Sequence, residues 1–101
     1  MKVHWTTEAK TQLKQIEAYI ALDSPAIARR TLTRLARRCG QLGVLPQSGR
    51  KVPEFNQEDL RELLERPYRI VYRVKSDQNQ IDIVTLWHYR RLLPQEAIQN
   101  P

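Results

Sequence analysis

RELLERPYRIVYRVKSDQNQIDIVTLWHYRR, residues Arg61 to Arg91, contains three strand-like runs in succession and closes on a knot of histidine, tyrosine and arginines. In the middle run Tyr68, Ile70, Tyr72 and Val74 alternate with Arg69, Val71, Arg73 and Lys75, the period-2 pattern of a half-buried strand. The next run, Gln80 to Tyr89, is rich in Ile, Val and Thr, and Ser76-Asp77-Gln78-Asn79 between them is turn-forming, so the pair reads as an antiparallel hairpin. With those four residues as the loop, Lys75 faces Gln80, Arg73 faces Asp82, Val71 faces Val84 and Arg69 faces Leu86. An unbroken register puts His88 on the face of Arg69 and Arg73. It collects Tyr68, Ile70, Tyr72, Val74, Ile81, Ile83, Thr85 and Trp87 on the other face as the floor of a core. One bulge would separate His88 from the arginines.

Upstream, Val3 to Thr6 reads as a strand that joins the sheet. Ala9, Leu13, Ile16 and Ile20 then recur on one helical stripe, with Thr6 or Thr7 as cap, which predicts a helix over about Thr7 to Ala21. Asp23-Ser24-Pro25 starts a second helix, about Ser24 to Leu42: Ser24 can cap the orphan amides, and Pro25 lacks only a donor that the first turn does not use. Its apolar side carries Ala28, Leu32, Leu35, Cys39 and Leu42, while Arg30, Arg34 and Arg37 lie roughly opposite. Gly43 and Pro46 end it, and Gln47 to Pro53 reads as a loop. The expected fold class is α+β, an N-terminal helical hairpin packed on a small antiparallel β-sheet, with Leu13, Ile16, Leu32, Leu35, Ile70, Tyr72, Ile83 and Trp87 mutually buried.

The 101 residues suit one core, so a single domain spanning 1–101 is expected. No apolar run is long enough to span a bilayer and the start lacks a signal-peptide core, so the expected location is the cytoplasm, with no membrane partner. The net charge of +6 is concentrated: Ser24 to Pro53 holds seven basic residues and no acidic one, against ten basic and eleven acidic elsewhere. Such a field draws acidic partners or nucleic acid. Cys39, alone on a buried face, reads as a small hydrophobe. His4, His88 and Cys39 lack zinc-ligand spacing, and no phosphate loop is visible, so neither metal nor cofactor is expected.

The order helix, helix, GRKVPEF (Gly49 to Phe55), REL (Arg61 to Leu63), PYRIVYRV (Pro67 to Val74) and WHYRRLLP (Trp87 to Pro94) resembles the ParE/RelE superfamily of toxins from bacterial type II toxin–antitoxin modules, and is closer to ParE. The resemblance implies a toxin held in a hetero-oligomer by a cognate antitoxin, and the basic face of Arg30, Arg34 and Arg37 adds the expectation that an acidic antitoxin segment wraps this helix and the exposed sheet. It leaves two activities open. ParE-type members inhibit DNA gyrase; RelE-type members cut messenger RNA on the ribosome, which needs a base, cations on the phosphate and an acid for the leaving oxygen. Glu54, Arg69 and His88, followed by Tyr89, match by motif position the catalytic residues of the YoeB-like nuclease branch. In that branch, however, the His-Tyr pair ends the chain, whereas Arg90 to Pro101 continue here.

The gyrase reading assigns antitoxin or target binding to Arg30, Arg34, Arg37, Arg73, Arg90 and Arg91. Plainer structural roles compete: Arg69 pairing with Glu62 or Glu65, His88 as a sheet-edge histidine, and Glu54 fixing its loop through backbone amides. A basic nucleic-acid-binding module is a further reading, supported by charge alone.

Overall fold

A computed structural model describes residues 1–90. The chain runs β1 (Lys2–Trp5), α1 (Thr7–Ala21), α2 (Pro25–Gln41), β2 (Arg50–Lys51), β3 (Leu60–Glu65), β4 (Tyr68–Lys75) and β5 (Gln80–His88). Both helices fall where their apolar spacing predicts. Thr6 caps α1, its Oγ1 accepting from the Ala9 N–H at 3.1 Å while donating to the Ile83 carbonyl at 2.8 Å, so one hydroxyl starts the helix and ties it to the sheet. Ser24 caps α2 through the Ile27 N–H, with Pro25 at its first position. Among the described residues no helix is long and apolar enough to cross a membrane.

The five strands lie in the order β1-β5-β4-β3-β2. All neighbours are antiparallel except β1, which pairs parallel to β5 with Val3 opposite Ile81. The sheet is therefore mixed, a correction to the antiparallel expectation. β1 enters the sheet before the helical hairpin and β5 closes the chain's meander, and the two run in the same direction at one edge. Two residues of the expected Gln47–Pro53 loop, Arg50 and Lys51, also join the sheet against β3. Between β4 and β5 a single turn of 3₁₀ helix ends on Asn79, whose positive φ of 50° suits an asparagine.

The helices cover one sheet face. Ala9, Leu35, Cys39 and Leu42 pack there against Leu63, Ile70, Tyr72, Val74, Ile81, Ile83 and Leu86, with Leu13 and Ile16 packed at the margin. Gly49 makes the closest approach: its N–H donates to the Tyr72 hydroxyl at 2.9 Å, and a Cβ would fall 2.5 Å from the Glu62 carbonyl. Only glycine fits there. Burial pushes the Cys39 thiol up to about 12, so it stays protonated, the small hydrophobe expected.

The β4–β5 register follows the expected pairing from Lys75–Gln80 to Tyr72–Ile83, then shifts by one residue. Val71 pairs with Thr85, leaving Val84 as the extra residue of a bulge, and beyond it Ile70 faces Leu86, Arg69 faces Trp87 and Tyr68 faces His88. This corrects two expectations. Leu86 takes the helix-covered face, while Trp87 packs with Val52, Leu60, Val71, Phe55 and Val84 in a second small core on the other face. The bulge is braced from above, since Gln12 of α1 accepts through Oε1 from the Leu86 N–H at 2.7 Å and from the Thr85 hydroxyl.

Candidate functional site

β3 and β4 pair with Leu64 opposite Arg69 and Glu62 opposite Val71, which brings the Glu62 and Arg69 side chains together on the face away from the helices. Arg69 is only 4% exposed. A buried guanidinium needs carboxylates, and it has two. Its Nε donates to Glu62 Oε1 at 2.7 Å, and Nη1 and Nη2 donate to the two oxygens of Glu54 at 2.7 and 2.8 Å, a bidentate grip. The fully buried Glu62 carboxylate takes Arg50 Nε on its other oxygen at 2.7 Å. The bonds from Glu54 foremost, and from Glu62, hold the Arg69 guanidinium above its ordinary value although burial opposes this. Glu54 thus ties its loop to β4 through the Arg69 side chain. Glu65, the other partner considered for Arg69, is taken by Arg34 and Arg38 at 3.2 and 3.1 Å.

The bulge puts His88 on the opposite face of the sheet from Arg69. His88 faces Tyr68 and borders a groove with Gln12, Gln15, Ile16 and Tyr19 of α1, on the helix side of the sheet. It does not share a face with Arg69 and Arg73, a correction that follows from the single extra residue at Val84. Tyr89 turns back toward a shallow cleft of about 380 Å³ lined by Arg50, Pro53, Glu54, Leu64, Arg69 and Arg90. Its ring stacks on His88 at 5.4 Å, with the Arg66 and Arg90 guanidinium groups within 5.7 and 5.4 Å of its centroid. Glu54, Arg69, Tyr89 and Arg90 therefore line one cleft, and His88, which is not in its lining, meets this group at Tyr89 and Arg90.

The basic residues assigned to partner binding divide in two. Arg73 is 6% exposed and bonds to Asp59 at 2.8 Å, which makes it part of the sheet rather than of an open surface. Arg34 lies at the edge of the stripe and reaches Glu65 and, at 3.0 Å, the Arg66 carbonyl. Arg30, Arg37 and Arg90 are exposed. Arg91 lies outside the described residues. Arg29, Arg30, Arg34 and Arg37 border an open groove of about 530 Å³ along α2, with Ala26 and Thr33 as the uncharged residues of its lining.

Three features escaped sequence reasoning. Arg50 completes the carboxylate network, and its only sequence signal was its place in the GRKVPEF element. Gln12 braces the bulge, yet it looks like any polar helix residue. Tyr19, Leu22 and Ile27 are exposed at the tip of the hairpin, where their departure from the apolar stripes was the available signal.

The model for the ParE toxin of the type II toxin–antitoxin system parDE matches residues 3–93. A solved structure described as the chromosomal ParDE TA system from P. aeruginosa is similar over 87% of this chain and 95% of that chain, with 26% identity and a TM-score of 0.71. Comparison with curated proteins gave no match. The family match spans both helices and every strand that builds the Glu54–Arg69–Glu62 network, and the chain belongs to the ParE toxin family of type II toxin–antitoxin systems.

Proposed function

We propose that this ParE-type toxin acts by binding a protein target, DNA gyrase, and is neutralised by a cognate antitoxin with which it forms a hetero-oligomer, rather than cutting messenger RNA on the ribosome. The observation that carries the reading is the state of Arg69. A cation that must grip a scissile phosphate needs free donors facing the substrate, whereas here the guanidinium is buried between Glu54 and Glu62. The candidate base, His88, sits on the other side of the sheet from it. Proton transfer demands groups within hydrogen-bond reach of one substrate, and this arrangement does not offer them. An inhibitor of a protein target needs only surface complementarity, which exposed aromatic, aliphatic and arginine side chains supply.

The decisive experiment induces the chain alone in bacteria and follows plasmid supercoiling and messenger RNA integrity together. Loss of supercoiling with intact message is the expected result, and His88→Ala should remain toxic. A folded His88→Ala chain that still binds its antitoxin but has lost both toxicity and message cleavage would reverse the reading.

A further inference from the structure

Eight of the 17 lysines and arginines are already answered. Arg34, Arg38, Arg50, Lys51, Arg61, Arg69, Arg73 and Lys75 each lie within 4.0 Å of a carboxylate. On α2, Arg29, Arg30 and Arg37 are exposed and have no ion pair among the described residues, and the surrounding segment from Ser24 to Pro53 contains no acidic residue. Lys2, Lys10, Lys14, Arg66 and Arg90 also have no ion pair among the described residues, but they are scattered, whereas Arg29, Arg30 and Arg37 line one helix on a groove of about 530 Å³ in the segment that has no acidic residue.

We propose that this groove is a binding site for the phosphate backbone of duplex DNA, engaged without regard to sequence through Arg29, Arg30 and Arg37. The lining argues for phosphate over a peptide. Apart from the four arginines its lining among the described residues is Ala26 and Thr33, which supply no large apolar anchor of the kind protein interfaces depend on, while small side chains leave the guanidinium groups room to reach outward. The geometry argues for a duplex. Arg30 and Arg37 are seven residues apart, about 10 Å along the helix axis, a span that covers about three phosphates of one strand at roughly 3.4 Å of duplex axis each. No aromatic residue borders the groove to stack the bases of a single strand. The site does not depend on gyrase being the target, so failure of that reading leaves this one standing.

The test measures binding of the full chain to two unrelated 20-base-pair duplexes by fluorescence anisotropy over a range of salt. With about three phosphates neutralised, affinity should fall about 40-fold between roughly 50 and 200 mM salt, equally for both sequences. Arg29→Ala/Arg30→Ala/Arg37→Ala should flatten that dependence almost completely while retaining the circular dichroism of the parent, and Lys10→Ala/Lys14→Ala on α1 should leave it unchanged. No binding by the parent chain, or an unaltered salt slope in the triple variant, would overturn the proposal. So would single-stranded RNA of equal length binding as tightly as the duplex. A triple variant that loses only its affinity for the acidic segment of an antitoxin, and none for DNA, would reassign the groove to a protein partner.

Discussion

Arg69 shows how one residue type supports opposite roles in different surroundings. On an open sheet it would be a phosphate ligand; between Glu54 and Glu62 it is a strut joining β3, β4 and the Val52–Asp59 segment. Removing it strands the buried Glu62 charge, so Arg69→Ala should lower unfolding free energy by about 3–5 kcal/mol in urea titrations. His88→Ala, at an exposed position, should stay within about 0.5 kcal/mol. Asp82 is a second such centre. Burial alone would raise its carboxyl, but bonds from Lys75 foremost, then Gln80 and His4, together hold it below the usual range. A depressed folded-state value stabilises the fold above the ordinary aspartate pKa of about 4, and that contribution disappears as pH falls through the folded value. The stability gap between the parent chain and Asp82→Asn should therefore be full at neutral pH and close under acid. A gap independent of pH would assign it to packing.

At the scale of elements, the bulge in β5 is the decisive feature. One extra residue moves Leu86 into the helix-side core, Trp87 into the opposite one and His88 away from the arginines. Gln12 supports that arrangement by accepting from the Leu86 N–H and the Thr85 hydroxyl. Gln12→Leu would leave both donors unanswered in a part-buried site, at a cost of about 1–3 kcal/mol. Amide exchange at Leu86 should quicken in the same variant. Leu35, fully buried where α2 meets the sheet, tests the layer contact itself: Leu35→Ala should cost about 2–5 kcal/mol. A loss under about 1 kcal/mol would mean that the layers close over the gap.

For the molecule as a whole, a surface-acting inhibitor and a nuclease respond differently to damage. If toxicity depends on presenting a folded surface, growth arrest should follow the folded fraction. His88→Ala and Tyr89→Phe then arrest growth like the parent, while Leu35→Ala and Arg69→Ala weaken in proportion to their instability and recover on cooling. Growth curves beside melting curves of the purified variants make the comparison. A stable, folded Tyr89→Phe chain without toxicity would point to chemistry instead. The same contrast separates charge from fold, because Arg29, Arg30 and Arg37 are exposed on α2 and their loss should change binding while leaving stability within about 0.5 kcal/mol each.

Periodic information was legible in the residues. Helix spacing located α1 and α2, Ser24-Pro25 marked a start, and alternation in Tyr68–Lys75 identified a strand, because these patterns depend only on the repeat of the backbone and on local capping. The Lys75–Gln80 end of the hairpin was legible too, since a short turn sets the register beside it. Three things depended on distant parts of the chain meeting: the parallel seat of β1 against β5, the bulge at Val84, and the choice of Glu54 with Glu62 as partners for Arg69. A bulge carries no strong local signal when every neighbouring residue is β-branched or apolar, and a buried ion pair forms between residues that only the folded sheet brings together. The candidate residues could be named from the sequence; whether they converge was decided by the insertion of one valine.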